Sequence, residues 1–97
     1  MKYYLAGPMT GLPDDNFPAF AEAAARLRDL GYVIHSPAED GRVEGWGWND
    51  YMRRGLTALL TCQGIIMLPN SRSSRGACLE KRLAIELCIT VFYYEDY

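Results

Sequence analysis

The chain has 97 residues, 49 % hydrophobic and 23 % charged, which suits one globular domain with its own core and excludes a disordered chain. A net charge of −2 gives no electrostatic footprint for a nucleic-acid polymer or a membrane surface. No apolar run approaches the ~18 residues of a membrane span, and Met1-Lys2-Tyr3-Tyr4 reads as the approach to a strand, not a secretory leader, so a cytoplasmic protein is expected.

Lys2-Tyr3-Tyr4-Leu5-Ala6 is a short apolar run ended by Gly7-Pro8 and predicts a first strand. Turn signals fill residues 7–15, and Asn16 or Phe17 then caps a helix that tolerates Pro18 in its first turn. Phe20, Ala23, Ala24, Leu27 and Leu30 form its apolar stripe, and Gly31 stops it. Residues 32–35 are a second strand, closed by Ser36-Pro37. The polar, glycine-rich residues 38–47 are long enough to act as a lid. Asn49 or Asp50 starts a second helix with Met52, Leu56, Leu59 and Leu60 on one face. Residues 64–68 are apolar on both sides, as in the centre of a parallel sheet. A polar loop over 70–75, a helix over 74–88 and a fourth strand over 89–92 complete the chain. With no linker or repeat, this alternation predicts a single domain over 1–97, a parallel sheet with helices on both faces and right-handed crossovers. Such sheets bind ligands beyond the carboxyl ends of their strands, where loops 7–15, 36–47 and 69–75 emerge.

Glu80 stands out in the third helix. At about 100° per residue, Gly76, Ala77, Leu83, Ala84, Leu87 and Cys88 share one side with Glu80 in its middle, while Lys81, Arg82 and Glu86 take the outer faces. A buried carboxylate is costly unless hydrogen-bonded or paired. Glu80 lies near the positive end of the helix dipole, which favours its ionised form and suits a nucleophile or base at a pocket mouth. The plainer alternative is a side chain that bends to the helix end to reach water or a backbone N–H. Cys62, Cys78 and Cys88 lack CxxC spacing and read as buried free thiols. His35, the only histidine, reads more readily as structural or solvent-facing than as catalytic. Trp46, Trp48 and Tyr51 suit either a stacked nucleobase or an oligomer contact, and Arg53, Arg54, Arg72 and Arg75 suit either a phosphate or solvent.

The opening Tyr4-Leu5-Ala6-Gly7-Pro8-Met9-Thr10-Gly11, the segment Asn16-Phe17-Pro18-Ala19-Phe20, Tyr51-Met52-Arg53-Arg54, Leu59-Leu60-Thr61-Cys62 and Ser74-Arg75-Gly76-Ala77 leading to Glu80 carry a resemblance. Together they resemble the nucleoside 2-deoxyribosyltransferase family, particularly its short phage- and prophage-associated branch, over nearly the whole chain. The resemblance implies a flavodoxin-like (Rossmann-like) three-layer α/β/α fold with about four parallel strands in the order 2-1-3-4. It implies that Glu80 attacks the anomeric carbon of a 2-deoxyribosyl group, and that a second base or water resolves the glycosyl-enzyme. Tyr4 matches the tyrosine that orients the nucleophile, and Gly7 and Pro8 match the loop that approaches the sugar or its 5′ substituent. Met9, Asn16, Ser74, Arg75 and Gly76 complete the implied substrate-binding set. The implied partner is a small nucleoside or nucleotide, with no metal or redox cofactor.

The departures from the family matter equally. Active transferases carry an Asp at the position of Gly55 and another at that of Ser74, which help hold and protonate the base. Gly55 also costs its helix about 1 kcal/mol relative to Ala, so it either opens space for a ligand or marks lost catalysis. Weak acid support implies slow or hydrolase-like cleavage; the alternative is a module that binds a nucleotide or metabolite without turnover, or a protein-interaction adaptor on the same fold. The chain ends at Tyr97, without the extension through which longer relatives complete a neighbour's site. A homo-oligomer is expected, with the aromatic tail from Phe92 to Tyr97 packing against a partner.

Overall fold

In the computed structural model, which describes residues 1–97, every strand enters one parallel sheet. The strands are β1 (Lys2–Ala6), β2 (Val33–His35), β3 (Gly64–Met67) and β4 (Thr90–Tyr93), and they pair in the order β2-β1-β3-β4. Tyr4 lies opposite His35 on one side and Ile65 on the other, and Ile66 lies opposite Phe92. Every residue of β3 is buried, as its unbroken apolar run requires of an inner strand.

The two-residue period of the strands sorts the core into two layers. Leu5, Ile34, Ile66 and Leu68 meet Phe20, Ala23, Ala24 and Leu27 of helix α1 (Phe17–Asp29) on one face. Tyr4, Ala6, Ile65 and Met67 face the other way, onto Leu59 of α2 (Trp48–Leu59) and Ala77 and Ala84 of α3 (Arg75–Glu86). This is the three-layer, flavodoxin-like arrangement with strand order 2-1-3-4. It places Tyr4 and Glu80 in the same layer although 76 residues separate them. No helix is long and apolar enough to cross a membrane.

Several expectations are corrected at element ends. Helix α2 begins at Trp48, because the Asp50 carboxylate accepts from the Gly47 N–H at 2.9 Å and makes Gly47 the cap. Leu30 and Leu60 are C-caps, just past the last helical turn, and both are exposed. Helix α3 stops at Glu86; Leu87 caps it and Cys88 turns left-handed at φ 58°, so neither reaches the inner side. Of the three thiols only Cys62 is buried; Cys78, some 200° around the helix from Glu80, is exposed like Cys88. The aromatic tail closes on its own chain. Tyr97 packs edge-on against Tyr32, and Arg26 donates to the Tyr97 carbonyl at 2.6 Å while lying over the Tyr94 ring.

Candidate functional site

The loops leaving β1, β2 and β3 meet the first turns of α2 and α3 around a cavity of about 480 Å³ at the carboxyl end of the sheet. Two glycines let the walls close. At Gly7 a Cβ would stand 2.8 Å from the Leu68 Cβ, so only glycine lets the first loop cross the end of β3. At Gly76 it would meet the Met52 sulfur at 3.0 Å, so the small residue brings α3 against α2. The first loop then passes through Asp14, Asp15 and Asn16, all left-handed at φ 51°, 52° and 62°, a conformation Asp and Asn tolerate best. The Asn16 amide donates to the Pro8 carbonyl at 2.9 Å and braces that loop. Ser74 caps α3, its hydroxyl accepting from the Ala77 N–H at 3.1 Å.

At the cavity floor the Tyr4 hydroxyl donates to Glu80 Oε2 at 2.5 Å. Tyr4 is 1 % and Glu80 7 % exposed, so the carboxylate is held well away from bulk water. Oε2 has this one partner and Oε1 has none in the protein. Burial pushes the Glu80 carboxyl up to about 7, against the opposing pull of the Tyr4 hydrogen bond. Burial first, and the Glu80 charge second, raise Tyr4 far above the usual phenol range, so it remains a neutral donor. The pair fits because of Gly55. A Cβ there would stand 2.8 Å from the Tyr4 hydroxyl and 3.1 Å from Glu80 Oε2, so the space that glycine opens is filled by the pair itself.

The charged groups around this pair all have partners. The Tyr4 ring stacks on His35, with centroids 5.7 Å apart and planes 10° from parallel. His35 Nε2 lies 2.9 Å from Asp40 Oδ2, and Asp40 lines the cavity while His35 sits behind it. Arg42 pairs with Asp15 at 2.7 Å and lies 4.8 Å over the Phe17 ring. Arg54 donates to the carbonyls of Asp40 and Gly41 and lies over Trp46 and Tyr51. The Tyr51 hydroxyl accepts from the Val43 N–H at 3.0 Å and donates to the Val43 carbonyl at 3.2 Å. These contacts staple residues 41–47 over the cavity. No group of three His, Cys, Asp or Glu side chains is placed to hold a metal ion.

Of the residues singled out in the sequence, Tyr4, Gly7, Met9, Ser74, Gly76 and Glu80 line the cavity, as do Trp46, Trp48, Tyr51, Arg54 and Gly55. Pro8, Asn16 and Arg75 do not: Pro8 and Asn16 bond to each other, and Arg75 stacks on Trp48 at 3.8 Å. Asp15, Asp40 and Arg42 line it without having been anticipated. Their only signal was position, on the loops at the carboxyl ends of β1 and β2, because partners 27 residues apart share no local motif.

A family model described as "Domain of unknown function (DUF4406)" matches residues 1–93. Among solved structures, the chain is similar to the 2-deoxyribosyltransferase of the psychrotolerant bacterium Bacillus psychrosaccharolyticus, with a TM-score of 0.77 and 21 % identity over 96 % of this chain and 71 % of that one. At that identity the likeness is one of fold. No curated protein matches the chain.

Proposed function

The chain belongs to the DUF4406 family, and with that as premise we propose that it cleaves the N-glycosidic bond of a nucleoside or nucleotide through Glu80, by hydrolysis or by 2-deoxyribosyl transfer. The observation that carries this reading is a carboxylate on a cavity floor with one oxygen held by a neutral tyrosine and the other free. A carboxyl poised near neutrality is ionised in a large fraction of molecules at pH 7 and still basic enough to attack carbon. Glu80 Oε1 attacks the anomeric carbon as the bond to the base breaks and its electron pair stays on the base nitrogen. Tyr4 keeps the carboxylate aimed, and water or an incoming base then displaces Glu80 from the sugar. Gly7, Met9, Ser74 and Gly76 form the surfaces nearest the sugar, Pro8 and Asn16 hold the first loop in shape, and Arg75 supports Trp48 on the rim.

Chromatographic release of free base tests this, using nucleosides, 2′-deoxynucleosides and their 5′-monophosphates, with neutral and charged bases in the panel. Wild type should release base from at least one substrate and Glu80→Ala from none. Silence across the panel, or equal release by both proteins, would contradict it.

One observation favours a second reading, a module that binds such ligands without turnover. Both other carboxylates on the cavity, Asp15 and Asp40, are already paired, which leaves the nucleophile without an evident acid. Saturable binding by calorimetry with no base release would support that reading. We also propose a homo-oligomer, because β2 and β4 are open edges and Leu30, Val33, Leu60 and Ile85 stay exposed.

A further inference from the structure

We propose that this site acts on N-glycosides whose leaving group already carries a positive charge, such as N7-alkylated purine or pyridinium nucleosides, in preference to nucleosides of neutral bases. The proposal rests on Glu80 being the nucleophile and names the class of substrate that such a site accepts.

A neutral base leaves as an anion unless an acid protonates it, and a positioned acid contributes typically 10²–10⁴-fold to such steps. No ionisable side chain on the cavity wall is free for that task. The ionisable side chains on its wall are Tyr4, Asp15, Asp40, Tyr51 and Glu80, with Arg42 and Arg54. Asp15 is bound to Arg42, and Asp40 to His35. The Tyr4 proton is committed to Glu80 and the Tyr51 proton to the Val43 carbonyl. Glu80 cannot serve as nucleophile and acid in the same step. Position 55, where an added carboxylate would face the reacting centre, has no room even for a methyl group.

The missing acid is no obstacle when the leaving nitrogen is cationic. Glu80 Oε1 bonds to the anomeric carbon, the C–N bond breaks, and its electron pair neutralises the ring. The base departs uncharged and no proton is transferred. Water then attacks the glycosyl ester, Glu80 leaves as carboxylate, and the proton from water passes to solvent.

The wall also suits a cation. With Glu80 ionised it carries three carboxylates (Asp15, Asp40, Glu80) against two guanidiniums (Arg42, Arg54). Its aromatic rings already hold cations, Arg42 over Phe17 at 4.8 Å and Arg54 over Trp46 at 5.0 Å. A cationic heteroaromatic ring can make the same contact and stack as well.

The test compares 7-methyl-2′-deoxyguanosine with 2′-deoxyguanosine, and adds nicotinamide riboside. Each enzymatic rate is divided by the spontaneous rate of the same substrate, because the methylated nucleoside is labile on its own. Wild type should accelerate the cationic substrates at least ~10²-fold more than 2′-deoxyguanosine, with the gain lost in Glu80→Ala and in the isosteric Glu80→Gln. Comparable acceleration of the neutral substrate, still dependent on Glu80, would overturn this inference and leave the glycosidic reading standing. No acceleration of either kind, or acceleration that survives both Glu80 variants, would overturn both.

Discussion

Tyr4→Phe probes the site with the smallest change. The substitution keeps the ring, its packing and its stack on His35, and removes only the hydroxyl that donates to Glu80 Oε2 at 2.5 Å. That bond favours the ionised carboxylate and opposes burial, which already holds Glu80 at about 7. A hydrogen bond to a charged group is worth ~1.5–3 kcal/mol, and each pKa unit corresponds to ~1.4 kcal/mol, so its loss should raise Glu80 by roughly one to two units. The nucleophilic form would then be scarce at pH 7. Base release should fall ~5- to 50-fold there, because a carboxyl near 7 starts half ionised, and recover as the pH approaches 9. The pH profile of kcat/KM reads the shift in the free enzyme, and carbon NMR titration of the Glu80 carboxyl reads it without any substrate. An unchanged carboxyl midpoint would refute the reasoning, as would an activity loss of the same size at every pH.

Three further outcomes follow from the same geometry. Gly55→Ala should gain ~1 kcal/mol from helix propensity but lose ~1–3 kcal/mol to overpacking against the buried Tyr4 hydroxyl; calorimetry should show a lower Tm, and a clear rise would mean the pair yields easily. Glu80 is raised in the folded state above its ordinary 4.5, so the protein should lose up to ~3 kcal/mol of stability as pH rises from about 4.5 through 7. Glu80→Gln should abolish that slope and exceed wild type in denaturant resistance at pH 8; parallel profiles for the two proteins would count against a raised carboxyl. Light scattering at micromolar concentration should report a dimer or larger assembly, and a monomer would remove the proposal that the exposed apolar residues face a second copy.

The fold was legible where pattern and physics coincide. The unbroken apolar run over 64–68 identified an inner strand, and β3 is buried throughout. Helical phase put Glu80 on the inner side of α3, and it is buried there. The ends were less legible, because caps answer to local backbone geometry: Leu87 leaves the helical conformation and Cys88 turns left-handed, which carries both out of the stripe that periodicity assigned them. Aromatic content in the tail says that a segment packs, not against what; Tyr97 meets Tyr32 and Arg26 of its own chain, while Tyr93 stays exposed. Gly55 was noticed as a departure from helix propensity. Its reason needed the third dimension, since the atoms it admits belong to residues 4 and 80. The same holds for Asp15 with Arg42 and for Asp40 with His35, pairings that close the charge inventory of the cavity.

The central claim is that Glu80 becomes covalently bound to the sugar. A 2-fluoro-arabinosyl nucleoside of 7-methylguanine tests it most directly, because the fluorine slows hydrolysis of the glycosyl ester and lets it accumulate. Peptide mass mapping should then find the fluorinated sugar on the α3 peptide at Glu80, absent from Glu80→Gln. Release of base with the sugar on another residue, or with no adduct on the chain at all, would contradict the account.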